Sequence, residues 1–315
     1  MTRTTGTSTM RAAAAGLGAF LRARRAGLTP DDVALPDYGG RRRVAGLRRE
    51  EIAQLAGVSV DYYTRMEQDR VPNPSAEVLD ALARALRLTA DETAHLHLLG
   101  RPARRVGGGR AGAAGAERPR AAEVQQARPI LRVLLGELRD VPALVMGRRM
   151  DVLAWNPAAS ALLGDFGAQD PAERNIARNT FLNPAARELY ADWTACAREN
   201  VAYLHLEAGR RPGDPELARL IGELSMRSPE FRRWWAEHPV QDKTSGRKGF
   251  HHPVVGDLEL AYETLRAADD PDQALITYTA EPGSPAHDAL RVLLAWSAAA
   301  PESARAAGPG GTARS

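Results

Sequence analysis

The sequence contains a single cysteine, Cys196, and only two lysines, Lys243 and Lys248, in 315 residues. One cysteine excludes an internal disulfide and any zinc site built from several cysteine ligands. We interpret Cys196 as a buried structural thiol, because nothing near it indicates the lowered thiol pKa of a redox sensor. Since arginine supplies almost all of the positive charge, no single arginine is strong evidence of a binding site.

The chain also lacks any unbroken apolar stretch of about 18 residues, the length needed for a membrane-spanning helix. Its N-terminus does not have the basic-then-apolar order of a signal peptide, so we predict a cytoplasmic protein without membrane insertion. No nucleophile elbow, phosphate-binding loop or dinucleotide fingerprint is present in the sequence. We therefore predict that the protein is not an enzyme.

The histidines do not predict a metal site. His95 and His97 are two positions apart in a helical pattern and should point to different faces, whereas residues four apart share one face. His251 and His252 are neighbours in a strand-like segment, where adjacent side chains point to opposite faces. The sequence therefore predicts neither a metal nor a resident cofactor.

Positive charge is concentrated in the first part of the chain. Residues 1–122 carry 20 arginines against 13 acidic residues, a net charge of +7, whereas residues 123–315 have a net charge of −4. Such asymmetry suggests one region that faces nucleic acid and a second region with another task. Residues 101–122 consist mainly of Gly, Ala, Arg and Pro, which predicts a flexible linker between the two.

The predicted fold class is two domains, an all-α five-helix domain followed by an α+β domain with a small antiparallel sheet and packed helices. The strand patterns of the second domain have a period of two and lie at Ala143–Met146, Val152–Trp155, Leu258–Leu265 and Ala274–Ala280. We place the all-α domain at residues 11–100, after a disordered N-terminus at 1–10. The α+β domain is placed at 123–300, before a disordered tail at 301–315.

Residues 47–68 carry the pattern of a helix-turn-helix, two helices joined by a short turn that contains glycine. Gly57 is expected to end the first helix with a positive φ, and Ser59 to cap the second. Further along, Thr89 and Glu92 have the spacing of a capping box. The inward side chains are predicted to be Leu47, Ile52, Leu55 and Ala56 on the first helix and Tyr63 and Met66 on the second.

The outward side of the second helix is the predicted reading edge, because a major groove about 12 Å wide admits one helix. The predicted base-reading residues are Ser59, Val60, Asp61, Tyr62, Thr64 and Arg65. Arg65 is expected to contact guanine, and Val60 and Tyr62 offer apolar contact to thymine methyl groups. For Asp61 two roles stay open: acceptance of a hydrogen bond from cytosine, or a first-turn carboxylate that favours the helix dipole.

A second set of arginines is predicted to contact phosphates, which positions a protein on DNA without reading sequence. The set comprises Arg42, Arg43, Arg48, Arg49 and Arg70. The arginines in loops could equally form a solvated charge run. Because one helix pair reads only a few base pairs, we predict a homodimer on a pseudo-palindromic double-stranded operator.

Residues 47–100 resemble the five-helix DNA-binding domain of the Xre and lambda-repressor class, down to Arg65-Met66-Glu67 and Pro74-Ser75. Over nearly the whole chain, the resemblance is to the MmyB-like regulators. The segments that carry it are GRRRVAGLRREEIAQLAGVSVDYYTRMEQ, WNPAASALLGDF, MRSPEFRRWWAEH, HHPVVGDLELAYETL and YTAEPGSP. This resemblance implies a sequence-specific transcription regulator with a C-terminal PAS-like ligand-binding domain. Since one relative binds a long-chain fatty acid there, it also implies a non-covalent fatty-acid-like effector.

The pocket of such a domain would be lined by large side chains near the sheet. The predicted lining residues are Trp155, Phe181, Trp193, Tyr203, Trp234, Phe250, Tyr262 and Tyr278. Each of them could instead be ordinary core. An alternative function also stays open, in which the C-terminal domain only dimerises or docks a protein partner and binds no small molecule.

Overall fold

The computed structural model describes residues 16–33, 46–101, 125–242, 244–267 and 270–299. The predicted disordered ends lie outside these residues, as do the predicted phosphate contacts Arg42 and Arg43 and all of the predicted linker except Arg101. The predicted domain boundaries therefore stay predictions.

The chain divides into two compact units, which confirms the prediction of two domains. The first unit contains the helices that precede residue 101, together with His205–Glu223 and Arg233–Gln241. The second unit contains the β-sheet and the remaining helical residues. After residue 192, the boundaries between the two units therefore fall within or just after the three helices between residues 193 and 236.

The N-terminal part of the first unit is all-α, as predicted. Its helices are α1 (Leu17–Ala26), α2 (Arg49–Ala56), α3 (Val60–Glu67), α4 (Ala76–Ala85) and α5 (Ala90–Leu99), with a 3₁₀ turn at Asp31–Val33. Side-chain caps from Ser59, Ser75 and Thr89 define where α3, α4 and α5 begin. The predicted capping box is confirmed: Thr89 Oγ1 accepts from the Glu92 amide at 3.3 Å, and the Glu92 carboxylate accepts from the Thr89 amide at 2.9 Å.

The core of the first unit is built from the apolar stripes of these helices. Its fully buried side chains include Phe20, Leu21, Leu47, Ile52, Tyr63, Met66, Leu82 and Leu96, and the later segments add Leu206 and Val240. The inward prediction for Leu55 is wrong, since this side chain is 37% exposed. The buried stripe of α2 is Ile52, Ala53 and Ala56, and Leu55 lies about 110° around the helix axis from its centre.

The second unit is α+β, as predicted. Its five strands are β1 (Ala143–Gly147), β2 (Val152–Trp155), β3 (Ser245–His252), β4 (Gly256–Ala267) and β5 (Asp270–Thr279). They form one antiparallel sheet in the order β2-β1-β5-β4-β3. The helices that follow α5 are α6 (Pro129–Glu137), α7 (Pro157–Leu163), α8 (Ile176–Leu182), α9 (Pro184–Leu189), α10 (Trp193–Arg210), α11 (Pro215–Arg227), α12 (Pro229–Ala236) and α13 (Pro285–Ala299).

Every residue of β1 is buried, because the sheet is covered on both faces there. On one face, α6 packs Leu135 against Ala143, Val145 and Leu275. Buried side chains elsewhere on the sheet include Phe250, Leu258, Leu260 and Tyr278. This arrangement explains why β1 lacks the alternation of apolar and polar residues that a half-exposed strand shows.

The sequence patterns predict four strands, and the structure contains a fifth, β3. This strand pairs with β4 from Ser245 opposite Glu263 to His252 opposite Gly256. Its sequence, SGRKGFHH, contains no β-branched residue and two glycines, so its local propensity for a strand is low. As an edge strand it is specified by backbone pairing with β4.

The predicted orientations of the histidine pairs are confirmed. His95 is buried, whereas His97 lies on the other face with its Nε2 2.7 Å from Asp80. His252 is buried and its Nε2 lies 2.9 Å from the Ala161 carbonyl oxygen, whereas His251 is exposed. Within the described ranges, no group of three or more His, Cys, Asp or Glu side chains is arranged to hold a metal ion. In that same part of the chain, no helix combines the length and apolar character needed to cross a membrane.

Candidate functional site

The turn between α2 and α3 has the predicted backbone geometry. Gly57 adopts φ +67°, a left-handed conformation that glycine allows at little cost. The amide of Val58 then donates to the Ala53 carbonyl at 2.9 Å. Ser59 caps α3, because its Oγ accepts from the Tyr62 amide at 3.1 Å. These three residues turn the chain so that α3 crosses α2 and presents one side outward.

The predicted base-reading residues lie along the outer side of α3. Asp61 and Arg65 are exposed, Val60 is 40% exposed and Thr64 is half-buried. Tyr62 differs from its neighbours, since its ring packs partly against the core of the first unit. The exposed edge of α3 is therefore narrower than the sequence predicts.

Arg65 is held by two neighbours on the same helix. Its Nε lies 3.2 Å from Oδ2 of Asp61, one helical turn earlier. Its guanidinium carbon lies 5.7 Å from the centroid of the Tyr62 ring, within the range of a cation–π contact. The Arg65 side chain nevertheless remains 51% exposed, so its outer end is accessible.

The described members of the predicted phosphate-contacting set lie at the ends of α2 and α3. Arg48 precedes α2, and its amide donates to the Glu51 carboxylate at 2.7 Å. Arg49 begins α2 and is 45% exposed. Arg70 is exposed in the turn after α3, where its amide donates to the Arg65 carbonyl at 2.9 Å. All three leave side-chain surface that an anion could contact.

A buried carboxylate joins three helices behind this edge. Glu67, at the end of α3, is fully buried and accepts hydrogen bonds from Nε of Arg25 on α1 and Nε of Arg49 on α2, each at 2.7 Å. Burial alone would raise the pKa of Glu67, but the hydrogen bonds from Arg25 and Arg49 outweigh it and the net pKa lies below the ordinary value. The carboxylate is therefore charged in the folded protein.

Glu67 is a site residue that the sequence patterns do not single out. One signal could have revealed it, because Glu67 follows Tyr63 by four residues and so lies on the inward face of α3. Its partners could not be found in the same way, since Arg25 is 42 residues away in the chain.

The second unit contains a groove with a volume of about 1260 Å³. Its apolar lining comes from Trp155, Val254, Leu290, Leu294 and Trp296, its positive charge from Arg139 and Arg291, and two histidines, His252 and His287, also line it. Asp140 and Asp165 add negative charge. His252 stabilises the turn between β3 and β4, because its Nδ1 accepts a hydrogen bond from the Val254 amide at 3.2 Å. The groove therefore combines apolar surface with charged groups of both signs.

Of the eight predicted pocket residues, only Trp155 lines this groove. Its ring lies 5.6 Å from Phe166, and the Arg174 guanidinium lies 5.2 Å from its centroid. The remaining predictions concern side chains that the structure places in other surroundings.

Phe181 and Trp193 form one aromatic cluster with Phe231, at ring separations of 6.0 and 5.1 Å from Phe181. Phe250, Tyr262 and Tyr278 form another on the sheet, with Tyr278 6.0 Å from Phe250 and 6.4 Å from Tyr262.

Tyr203 is buried, with the Arg266 guanidinium 5.8 Å from its ring. Trp234 is buried and belongs to the first unit. The structure therefore does not bring the eight side chains together.

Cys196 is buried, as predicted. Its Sγ lies 3.5 Å from Nζ of Lys248, which also reaches Glu199 at 3.1 Å and lies 5.0 Å from the Tyr262 ring. Burial alone would lower the pKa of Lys248, but the interactions with Cys196, tyrosines and Glu199 outweigh it and keep the pKa well above the ordinary value. Lys248 is therefore charged in the folded protein, next to Tyr262 of the aromatic cluster on the sheet.

Comparisons with known proteins agree with this geometry. A model of a helix-turn-helix domain matches residues 40–96, and together with the exposed α3 edge it defines a DNA-binding transcription regulator. A model of the MmyB-like transcription regulator ligand binding domain matches residues 127–293, more than half of the chain. The chain therefore belongs to the MmyB-like transcription regulators. Both matched families describe a regulator rather than an enzyme. A comparison with curated proteins found no match.

Proposed function

We propose that the protein reads double-stranded operator DNA in a sequence-specific manner by inserting α3 into the major groove. The observation that carries this proposal is the exposed edge of α3, where Val60, Asp61 and Arg65 lie on a helix anchored from behind by Glu67. A rigidly anchored helix presents the same donors to every base pair it meets, which sequence-specific reading requires.

The proposed regulator acts as a homodimer in the cytoplasm. One α3 helix covers only a few base pairs, and two copies bind half-sites about one helical turn apart. The operator is therefore expected to be a pseudo-palindrome.

Arg65→Ala is expected to lower discrimination between the operator and scrambled DNA about tenfold to hundredfold, the usual value of one bidentate base contact. Arg48→Ala should weaken both DNAs about equally and reduce the slope of log affinity against log salt by about one. Fluorescence anisotropy at several salt concentrations, on an operator selected from random DNA, measures both effects. An unchanged discrimination ratio in Arg65→Ala would show that α3 does not read bases.

For the second unit we propose a fatty-acid-like effector that binds in the groove beside α13. Trp155, Leu290 and Leu294 offer apolar surface to a chain, and Arg139 and Arg291 are cations suited to a carboxylate. These groups support the proposal because an amphiphile needs both kinds of contact. Binding would regulate operator affinity if the bound and free proteins differ in their affinity for DNA.

Organic extraction of the purified protein followed by mass spectrometry is expected to recover a bound amphiphile. Added saturated fatty acids should raise the melting temperature of the delipidated protein, since a ligand at 100 times its Kd stabilises by about 2.7 kcal/mol. Trp296→Ala removes a groove side chain that is 49% exposed and should weaken binding about tenfold. Met226→Ala, at an exposed residue outside the groove, should bind as the wild type does.

A second candidate function is favoured by the outer face of α6. Ile130 and Val133 are 62% and 61% exposed there, three residues apart on one side of the helix. Exposed apolar side chains in a row suit contact with a second protein surface. If extraction yields no amphiphile and no fatty acid shifts the melting temperature, the second unit acts in dimerisation or partner docking instead.

A further inference from the structure

We propose that Asp61 is a positioning residue that holds Arg65 in the orientation needed to read one base pair, and that it reads no base itself. This inference rests on the proposed function of α3. It replaces hydrogen bonding to cytosine, one of the two roles that the sequence leaves open for Asp61, and is compatible with the other, the favourable interaction of a first-turn carboxylate with the helix dipole.

The contact between Asp61 and Arg65 is made at one nitrogen of the guanidinium. Oδ2 of Asp61 forms an ion pair with Nε of Arg65 at 3.2 Å. A guanine edge presents two acceptors, O6 and N7, and an arginine reads them with two donors at once. In this proposal the ion pair at Nε leaves the two Nη donors of Arg65 available for a base edge.

Tyr62 restrains the same guanidinium from a second side. Its ring centroid lies 5.7 Å from the guanidinium carbon, and the ring is itself packed partly against the core. Arg65 thus has a carboxylate and a fixed aromatic ring as neighbours, which reduces the number of rotamers it samples before it meets DNA. An ordered arginine loses less conformational freedom when it binds.

The exposure of the pair limits its contribution to the stability of the fold. The side chains of Asp61 and Arg65 are 81% and 51% exposed, and an exposed pair four residues apart on a helix contributes little to folding. In the major groove of DNA, water is displaced from the ion pair, and the attraction between Asp61 and Arg65 becomes stronger. The carboxylate also needs this partner near DNA, since an unpaired negative charge would be repelled by phosphates.

The test is selection of bound sequences from random double-stranded DNA by the wild-type chain, Arg65→Ala, Asp61→Ala and Asp61→Asn. Arg65→Ala identifies the base pair that Arg65 reads, because preference is lost at that position. Asp61→Ala is expected to lose preference at the same position, with discrimination about three- to tenfold lower, since the guanidinium remains but must be ordered on binding. Asp61→Asn keeps an oxygen that can accept from Nε and should recover part of the preference.

Affinity for scrambled DNA distinguishes the proposed role of Asp61 from a structural defect, because a defect in α3 would lower that affinity. Asp61→Ala removes a negative charge and should bind scrambled DNA as tightly as the wild type or more tightly, with an unchanged melting temperature. Relaxed preference at a different base pair would overturn the inference in favour of direct reading by Asp61. Unchanged preference at every position would overturn it as well. If the wild-type chain enriches no sequence, the proposed function itself fails, a result distinct from either Asp61 outcome.

Discussion

Glu67→Gln is expected to lower the free energy of unfolding of the first unit by about 3 kcal/mol, as is usual when one partner of a buried ion pair is removed. The substitution preserves shape but removes the charge that accepts from Arg25 and Arg49, each at 2.7 Å. Arg25 bears most of the cost, because its side chain is only 15% exposed, whereas that of Arg49 is 45% exposed and can be solvated.

Urea unfolding followed by circular dichroism measures this loss, and Glu50→Gln is the matched control. Glu50 is an exposed carboxylate in the first turn of α2, so its substitution should leave the midpoint close to that of the wild type. A wild-type midpoint in Glu67→Gln would show that the buried network does not hold α1, α2 and α3 together. The role of the Glu67 carboxylate would then be limited to orienting the Arg49 side chain.

Gly18→Ala is expected to destabilise the first unit by about 3 kcal/mol or more, because a methyl group has no space there. A Cβ at this position of α1 would overlap the backbone carbonyl of Glu67, with only 2.6 Å to the carbonyl carbon. The Gly18 amide also donates to Asp69 at 2.8 Å, so α1 cannot move away without breaking this bond. Backbone atoms, unlike the end of a flexible side chain, have little freedom to give way.

Gly222→Ala is the control for the effect of glycine in a helix. Gly222 lies inside α11 in the same unit, and apart from its chain neighbours and the backbone of its own helix no atom lies within 4 Å of a Cβ built on it. Alanine is the better helix former by about 1 kcal/mol, so this variant should be more stable than the wild type. Thermal and urea unfolding of the two variants should give shifts of opposite sign. Equal melting temperatures for Gly18→Ala and the wild type would refute the close packing of α1 on the end of α3.

The helix-turn-helix could be predicted because its signals are local. A left-handed glycine at Gly57, a capping serine at Ser59 and a capping box at Thr89 and Glu92 each act within four residues of the chain. The inward positions Tyr63 and Met66 follow from the period of the helix. The inward prediction for Leu55 is wrong because α2 is short, and its buried residues cover little more than a quarter of the helix circumference.

The second unit was harder to predict in detail. The edge strand β3 has a sequence with low strand propensity and exists through its pairing with β4. The aromatic residues predicted to line one pocket are distributed over separate clusters, and of these eight side chains only Trp155 reaches the groove. Hydrophobicity identifies side chains that avoid water, but a packed core and an open groove use the same residue types.

By itself, the sequence determined the class of protein, the position of α3 and the separation of a basic region from an acidic one. These properties depend on composition, local caps and periodicity, all of which can be read along one chain. The tertiary structure was needed to show that Glu67 joins Arg25 to Arg49, that the Tyr62 ring packs partly against the core, and where the groove beside α13 lies. Those features depend on how side chains from separate segments of the chain pack against one another, which the sequence of one segment does not specify.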